Sequence, residues 1–447
     1  MNLHDILKIS NGEIINGNIL DQKIGNIQID SRKVEINDIF ICIKGKNDDG
    51  HNYIKEIENK CSCIIVSKDV IVTSDVLVIK VDDTISFMGT LSNYIRLKYI
   101  NIPLIAITGS VGKTTTKELL YHVLNEKYKI LYTKKNYNNN IGVPMTIFNL
   151  NENYNLIVLE MGMNHLNEIS NLSKMVLPNT CIITNIGTSH IGYLKSQKNI
   201  LKAKLEITDG LNNGILLLNN KDKYLKKIKK NKNNIVCNIN EFKVYNVITT
   251  YEHLFFSIIY KNKNYNIKFN IPNSSLINNI LLVIKTSLIY GMSIEDIIER
   301  ISTFEQISGR NNILLLKDNI ILVDDCYNSS YESLISSLNM IKNFKDKKII
   351  ILGDILELGS YSKKIHLKIG RFLKKYKIKN NIFVITVGTN MKLINKYVNC
   401  SSFNTSEEVI TFLSDLNITD CCILLKGSRG IHLEKIKDAL IIKNASY

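Results

Sequence analysis

No run of about eighteen uncharged apolar residues occurs in this chain, so no transmembrane helix and no stable membrane insertion are expected. The opening Met1-Asn-Leu-His-Asp-Ile-Leu-Lys8 lacks the basic-then-apolar layout of a secretory leader, which points to a cytoplasmic protein. Cysteine is thinly scattered. The nine residues include two close pairs, Cys61 with Cys63 and Cys421 with Cys422, and neither pair has metal-ligand spacing. An odd, dispersed set argues against a disulfide framework and suits a reducing compartment. There is no basic-aromatic module either. The net charge of +16 comes from lysines spread along the whole chain, so a nucleic-acid partner is not expected and attraction of anionic small substrates is the simpler use of the charge. The densest run, Lys221 to Lys232, reads as a solvated helix and loop. No internal repeat or low-complexity linker divides the 447 residues, whose length suits two or three domains.

What is present centres on Pro103-Leu-Ile-Ala-Ile-Thr-Gly-Ser-Val-Gly-Lys-Thr-Thr-Thr116. An apolar, β-branched run predicts a buried strand. The chain then turns through Thr108, Gly109, Ser110, Val111 and Gly112 into Lys113, Thr114 and Thr115, and Leu119, Leu120, Val123 and Leu124 recur at helical spacing. Strand, glycine turn, Lys-Thr and helix make a phosphate cradle: backbone N–H groups face the anion, Lys113 neutralises it and the Thr114 hydroxyl is placed to ligate magnesium. The strict pattern wants glycine at position 107, where Ile107 stands, so the loop is a shortened form. An ordinary strand-to-helix turn with a surface lysine is the competing interpretation, and the flanking glycines weigh against it.

Residues 1–83 read as a small α/β module, with an alternating strand over Asp38–Ile43, a helix over about Tyr53–Asn59, and strands at Ser62–Val66 and Val76–Val81. A helix from Thr84 to Leu97 leads into the cradle, after which strands at 155–160, 180–185 and 215–218 alternate with helices. That alternation predicts a mostly parallel sheet with ligands at the carboxyl ends of its strands. Residues 244–271 change character and suggest an antiparallel hairpin, followed by a helix over 276–290. From residue 312 strands at 319–324, 348–352, 382–387 and 421–425 form a second doubly wound unit. The expected fold is therefore α/β in three domains, 1–83, 84–311 and 312–447.

Several residues follow these strands. Glu160 ends one, where a carboxylate beside a phosphate loop suits a magnesium ligand or a water holder. His190 follows another; alone it is more often a satisfied loop histidine, and as a magnesium ligand it is unusual. Lys204, in a predicted helix, is on these grounds one lysine among many. Asn136, Asn138 and Asn139 crowd a turn before Gly142 and Pro144 and have the donors and acceptors to bind sugar or amide groups, although the chain is rich in asparagine throughout. Asp325 and Asn328 close the first strand of the third unit. Arg310 offers a guanidinium to a phosphate, and Lys426, Ser428 and Arg429 follow the last strand in a position suited to an anion.

In their order, Thr108-Gly-Ser-Val-Gly-Lys-Thr114, Glu160, His190, Lys204, Asn279, Arg310 and Asp325 resemble the Mur ligases, the ATP-dependent amide ligases of peptidoglycan precursor synthesis, over essentially the whole chain. Asn136 to Pro144, Glu160-Met-Gly-Met-Asn-His165 with Glu168-Ile169, Asp324 to Asn328, and Gly353-Asp-Ile-Leu-Glu-Leu-Gly359 are similar to the MurF-type branch. That branch joins D-alanyl-D-alanine to UDP-N-acetylmuramoyl-tripeptide through an acyl phosphate. The resemblance implies a UDP-binding opening module using Ser31, Arg32 and Lys44, a central ATPase and a Rossmann-like third domain. It implies ATP and two Mg²⁺ ions as cofactors. Lys113 and Thr114 would hold the β/γ-phosphates, Thr114, Glu160 and His190 the metals, Asn279 and Asp325 adenine and ribose, and Arg310 the γ-phosphate. The lysine aligned with Lys204 is carbamylated in that family, which turns a cation into an oxygen donor. Asn136, Asn138, Asn139, Asn328, Lys426, Ser428 and Arg429 would meet the substrates. A monomer is expected. Where the family has His-Asn-x-x-Asn, this chain has Ser275-Leu276-Ile-Asn-Asn279; Cys326 replaces a serine, and Ser330 an asparagine.

Three rivals are weighed. A superfamily ligase adding another amino acid, or glutamate to folate, lacks the amide-rich loop and the Glu-Met-Gly-Met-Asn-His stretch. A nucleic-acid-stimulated ATPase explains the charge but not the UDP-module resemblance or the lysine in Lys202-Ala-Lys-Leu-Glu206. A non-catalytic scaffold does not need Lys113, Glu160, His190 and Lys204 together.

Overall fold

The computed structural model describes residues 1–447 except 21–22, 232, 306–307, 378–380 and 446–447, and the side chains of 444–445. Lys232, the end of the lysine-rich run, lies outside the described residues.

The first unit is a five-stranded sheet of β1 (Glu13–Asn16), β2 (Ile27–Gln28), β3 (Asp38–Ile41), β4 (Cys61–Val66) and β5 (Leu77–Lys80), in the order β1-β5-β4-β3-β2. Only β1 runs antiparallel, along β5. All four residues of β3 are buried, so the strand expected to alternate is instead covered on both faces, as interior parallel strands are. The helix expected over Tyr53–Asn59 is a single turn, Ile54–Ile57, entered through a 3-10 turn at Gly50–Tyr53.

The second sheet is wholly parallel. It contains β6 (Leu104–Thr108), β7 (Ile130–Tyr132), β8 (Leu156–Glu160), β9 (Thr180–Ile183), β10 (Ile215–Leu218) and β11 (Ile235–Asn238), ordered β11-β10-β9-β6-β8-β7. Side chains along a strand point alternately to opposite faces, and the core divides accordingly. Ile105, Ile107, Leu156, Val158 and Leu217 pack on one side with the helices Lys113–Leu124 and Ile277–Ile289. Leu104, Ala106, Ile157, Leu159, Leu216 and Leu218 pack on the other with Thr84–Lys98 and Glu168–Val176. Both faces are dry, which is why these strands read as unbroken apolar runs. Because β6 lies between β8 and β9, the loop after it opens where the strand order reverses, the usual place for a ligand in such sheets.

Residues 243–269 make a three-stranded antiparallel sheet of β12 (Lys243–Thr249), β13 (Leu254–Tyr260) and β14 (Lys263–Phe269). The expected hairpin is β13 and β14; β12 escapes notice because its residues are half-buried or exposed and carry no clean alternation. Among its described residues the lysine-rich run forms no α-helix but a 3-10 turn at Leu225–Lys227, since Leu225 is the one residue of that turn that reaches a core.

The third unit has β15 (Asn312–Leu316), β16 (Ile320–Asp324), β17 (Lys347–Gly353), β18 (Asn381–Val387), β19 (Cys400–Phe403) and β20 (Cys422–Lys426), ordered β15-β16-β20-β17-β18-β19. Five strands are parallel, and β15 adds an antiparallel edge that the doubly wound expectation did not include. None of the described helices is long and apolar enough to cross a membrane.

Candidate active site

A cleft of about 480 Å³ opens between the second and third units. Its floor is the loop after β6. Gly109 (φ 155°) and Gly112 (φ 82°) give the loop its turn, and both are required sterically: a Cβ on Gly109 would fall 1.8 Å from Thr184 Oγ1, and one on Gly112 would fall 2.4 Å from Asn279 Nδ2. Gly112 caps the helix Lys113–Leu124, whose first N–H groups then face the cleft and favour an anion there.

The two lysines of interest meet at one atom. Lys113 Nζ and Lys204 Nζ each donate to the Gly109 carbonyl at 2.9 Å. Lys204 is 1% exposed, on the helix Gln197–Leu205. Burial pushes its ammonium well below the usual lysine range, and Lys113 adds to that while Glu160 opposes it. Lys113 is shifted in the same direction, again chiefly by burial.

Glu160, 2% exposed, ends β8 directly beside β6. Its Oε2 accepts from Thr114 Oγ1 and its Oε1 from Asn138 Nδ2, both at 2.8 Å, and its backbone N–H donates to Thr133 Oγ1 at 3.0 Å. Thr133 is held in turn by Lys117, whose Nζ donates to the Thr133 carbonyl at 2.5 Å and pairs with Glu118 Oε1 at 2.7 Å. A carboxylate and a hydroxyl, both hard oxygen donors in contact at the helix start, fit magnesium, which keeps waters and phosphate oxygens for its other positions. No cluster of three or more His, Cys, Asp or Glu able to hold a metal occurs among the described residues.

His190 adopts a left-handed conformation (φ 61°), and its Nδ1 lies 2.8 Å from Glu357 Oε2 of the third unit, close but off the line of a good hydrogen bond. Burial lowers the imidazole pKa and Glu357 opposes that; the same contact holds the Glu357 carboxyl below its usual range.

The far wall comes from the third unit. Asp325 Oδ2 pairs with Lys426 Nζ at 2.6 Å and accepts from Ser337 Oγ at 2.5 Å, while Lys426 also donates to Asn328 O at 2.9 Å. The Arg310 guanidinium stacks 4.3 Å from the Tyr327 ring centre. Asn136, Asn138 and Asn139 line the near side. Asn139 Oδ1 accepts from Gly142 N at 2.8 Å, so its amide also holds the turn into the helix Gly142–Ile147.

The structure thus brings Ser110 to Thr115, Glu160, His190, Arg310, Asp325, Asn328 and Lys426 onto one cleft, with Thr108, Gly109 and Lys204 just beneath. Asn279 does not line the cleft itself but sits against the cradle, where its Nδ2 reaches the Gly112 carbonyl at 3.4 Å. The same Nδ2 donates to Thr116 Oγ1 at 2.9 Å, and Asn273, Ser275 and Leu276 reach the cleft surface instead. Ser428 is buried, accepting from Leu356 N, and Arg429 is exposed on the same turn. Ser31, Arg32 and Lys44 belong to the first unit and do not line this cleft; Arg32 is exposed and folds back on Asp30 at 2.8 Å. Sequence reasoning missed Thr133, Glu357 as an individual residue, Tyr327 and Lys117. Only Lys117 left a readable signal, a charge on the Lys117, Leu120, Leu124 stripe of an otherwise apolar helix face.

Two family models match the chain, the Mur ligase middle domain over residues 107–287 and the Mur ligase family catalytic domain over residues 23–96. A UDP-N-acetylmuramoyl-tripeptide–D-alanyl-D-alanine ligase of Buchnera aphidicola subsp. Baizongia pistaciae is 30% identical, over 99% of this chain and 98% of its own. Its counterpart in Rickettsia prowazekii is 31% identical, over 92% of this chain and 94% of its own. A crystal structure of MurF from Acinetobacter baumannii superposes with a TM-score of 0.92 at 27% identity, covering 99% of this chain and 98% of that one.

Proposed function

This chain belongs to the Mur ligase family, and from that premise we propose how its cleft works. The protein is an ATP-dependent ligase that adds D-alanyl-D-alanine to UDP-N-acetylmuramoyl-tripeptide in peptidoglycan precursor synthesis. The observation that carries the mechanism is the shared cleft: a phosphate cradle, a magnesium-suited Thr114–Glu160 pair and an amide-rich wall face a basic wall from the third unit.

In the first step a carboxylate oxygen of the tripeptide attacks the γ-phosphorus of ATP, and the bond to the β-phosphate oxygen breaks, giving an acyl phosphate and ADP. The amine of D-alanyl-D-alanine then attacks the acyl carbon; a proton leaves the nitrogen, and inorganic phosphate departs. Little covalent chemistry falls to the protein, so catalysis is positioning and charge neutralisation. Lys113 and the loop N–H groups hold the β- and γ-phosphates, and Thr115 sits in the first helical turn beside them. Arg310, braced by Tyr327, meets the γ-phosphate from the opposite wall. Asp325, oriented by Lys426 and Ser337, offers its remaining acceptor capacity to the ribose. Asn136, Asn138 and Asn328 orient the peptide end.

Thr114, Glu160, His190 and Lys204 would hold two magnesium ions, which supply charge neutralisation at the transferring phosphoryl group. Carbamylation joins CO2 to the neutral amine of Lys204 with loss of a proton, and burial, which lowers the pKa of that amine, favours the form that reacts. In that reading the new carbamate replaces a buried cation with oxygen donors. Ser31, Arg32, Lys44 and, on the third unit, Ser428 and Arg429 are assigned to the UDP-sugar and peptide. We divide the chain at 83 and 311 and place the enzyme in the cytoplasm as a monomer, without a nucleic-acid partner.

The test is ADP release by the purified protein with UDP-muramoyl tripeptides. Release that requires the tripeptide and is completed by D-alanyl-D-alanine is expected. Release stimulated by DNA or RNA and indifferent to UDP-muramoyl peptides would overturn the reading.

A further inference from the structure

Glu357 enters the cleft region from the third unit, on the loop after β17, and none of the roles above uses it. Its carboxylate reaches His190 Nδ1 at 2.8 Å. The contact is built with unusual backbone on both sides. His190 and Glu357 both have φ 61°, Lys195 has φ 64° and Gly359 φ 51°, a concentration of left-handed residues that only tertiary contacts keep in place. Gly192 N–H donates to the Glu357 carbonyl at 3.0 Å, and Tyr361 Oη donates to the Lys195 carbonyl. Position 192 admits no side chain, because a Cβ there would fall 2.5 Å from the Glu357 carbonyl and 2.7 Å from Gly359 N. A few residues away, Thr188 Oγ1 donates to Glu332 Oε2 at 2.8 Å. The third unit therefore grips the loop that carries His190 at two points, and at one of them it places a carboxylate on the ring. Glu357 is also close enough to Lys113 to oppose the burial of its ammonium.

We propose that Glu357 is a positioning residue for the ligation reaction, delivered by the third unit to fix the His190 ring, so that the metal side of the site is complete only when the second and third units are in contact as seen here. The proposal rests on the reading of His190 as a metal-side residue. A histidine ligand is normally oriented through its other ring nitrogen by a carboxylate or carbonyl, and loss of that partner costs roughly 10–100-fold in metal affinity or activity. With Nδ1 turned to Glu357, Nε2 keeps its lone pair for the cleft. Glu357 touches neither nucleotide nor peptide in this assignment; it acts through His190.

The experiment compares full-length wild type with Glu357→Ala, Glu357→Gln, His190→Gln and Gly192→Ala. Two quantities are read: the magnesium dependence of ADP release, and the ring ¹⁵N signals of His190 in histidine-labelled protein, assigned by their loss in His190→Gln. Glu357→Ala should raise the magnesium concentration for half-maximal rate about 10–100-fold with little change in KM for ATP, and should move the His190 ring signals without metal present. Glu357→Gln, which keeps an acceptor oxygen, should recover part of both effects, and Gly192→Ala should reproduce them with Glu357 intact. If Glu357→Ala and Glu357→Gln leave the magnesium dependence and the ring signals at wild-type values while His190→Gln raises the magnesium requirement, the proposal is wrong and the reading of His190 stands. If His190→Gln itself leaves the magnesium dependence unchanged, the reading of His190 fails and the proposal with it.

Discussion

Replacing Lys117 by methionine probes the site from behind, at a residue that touches no substrate. Lys117 is fully buried in the cradle helix, and it fastens the Thr133 carbonyl, while the Thr133 hydroxyl receives the backbone N–H of Glu160. Methionine keeps most of the volume, so a packing penalty stays below about 1.5 kcal/mol. The Thr133 carbonyl loses its donor, which costs about 1–3 kcal/mol for a buried acceptor. The larger cost of stranding a buried charge, about 3–5 kcal/mol, does not apply, because Glu118 is a quarter exposed and turns to water. A net loss of about 1–4.5 kcal/mol is expected, below the ~5–15 kcal/mol by which domains are stable, so the variant remains folded at assay temperature. Its activity then reports geometry. Misplacement of a reacting group by about 1 Å costs on the order of 100-fold, and ligation should fall about 10–100-fold with a raised magnesium requirement. Thermal unfolding and ADP release over a magnesium series measure both effects. A destabilised variant that ligates with the wild-type rate and magnesium curve would refute the relay from Lys117 through Thr133 to Glu160.

Lys113→Ala should abolish acyl-phosphate formation; ADP release at the wild-type rate would contradict its phosphate role. Lys204→Ala should abolish ligation, motivated by the buried, readily neutralised amine at the cradle, and partial recovery with added short-chain carboxylic acids would support an oxygen-donor role while wild-type turnover would exclude it. Gly112→Ala forces a left-handed alanine, at about 1–2 kcal/mol, and drives its Cβ into the Asn279 amide; KM for ATP should rise at least about 10-fold, since about 1.4 kcal/mol is a factor of ten, and an unchanged value would mean that the loop relaxes freely. Stability should also depend on pH through His366, whose Nε2 accepts from Ile355 N and whose Nδ1 donates to Ser362 O. Burial depresses its pKa from 6.5, so the unfolded chain takes up the proton first; its stabilising contribution is complete above about 6.5 and is lost as pH falls through the native value. The unfolding midpoints of wild type and His366→Gln should converge between pH 7.5 and pH 5, a range set around the ordinary histidine value of about 6.5; a constant gap would rule the titration out.

The cradle, the parallel sheets and the third unit were legible because their signals are local: apolar runs bounded by glycine, and chemistry-bearing residues just past strand ends. Glu160 is the clearest case, since the end of a buried strand fixes where its carboxylate goes. The edge strands β1 and β12 were not legible, because exposed or half-buried strands carry neither a long apolar run nor clean alternation; β15 does carry the apolar run Ile313–Leu316, but its antiparallel pairing with β16 is a tertiary property. Asn279 shows a different limit. Position in a motif placed it near the nucleotide loop, but not the contacts of its amide with Thr116 and Gly112, which depend on how the helix Ile277–Ile289 packs on the cradle helix. Lys204 was invisible on its own terms, as burial is a tertiary property and one lysine looks like another in sequence. Glu357 required two units to meet across a gap of more than a hundred and fifty residues, by the numbering of His190 and Glu357 themselves.

The Gly109 carbonyl, claimed by both Lys113 and Lys204, makes the two lysines thermodynamic competitors. An oxygen shared by two amine donors holds each less firmly than it would hold one alone. Polyphosphate that draws Lys113 away leaves the carbonyl to Lys204, whereas a modification that removes the Lys204 charge leaves it to Lys113. Linkage then requires that whatever factor the state of Lys204 imposes on nucleotide affinity, nucleotide imposes equally on the state of Lys204. The cradle is thus a balance between two amines on one oxygen, and its substrate and its covalent chemistry act on opposite pans.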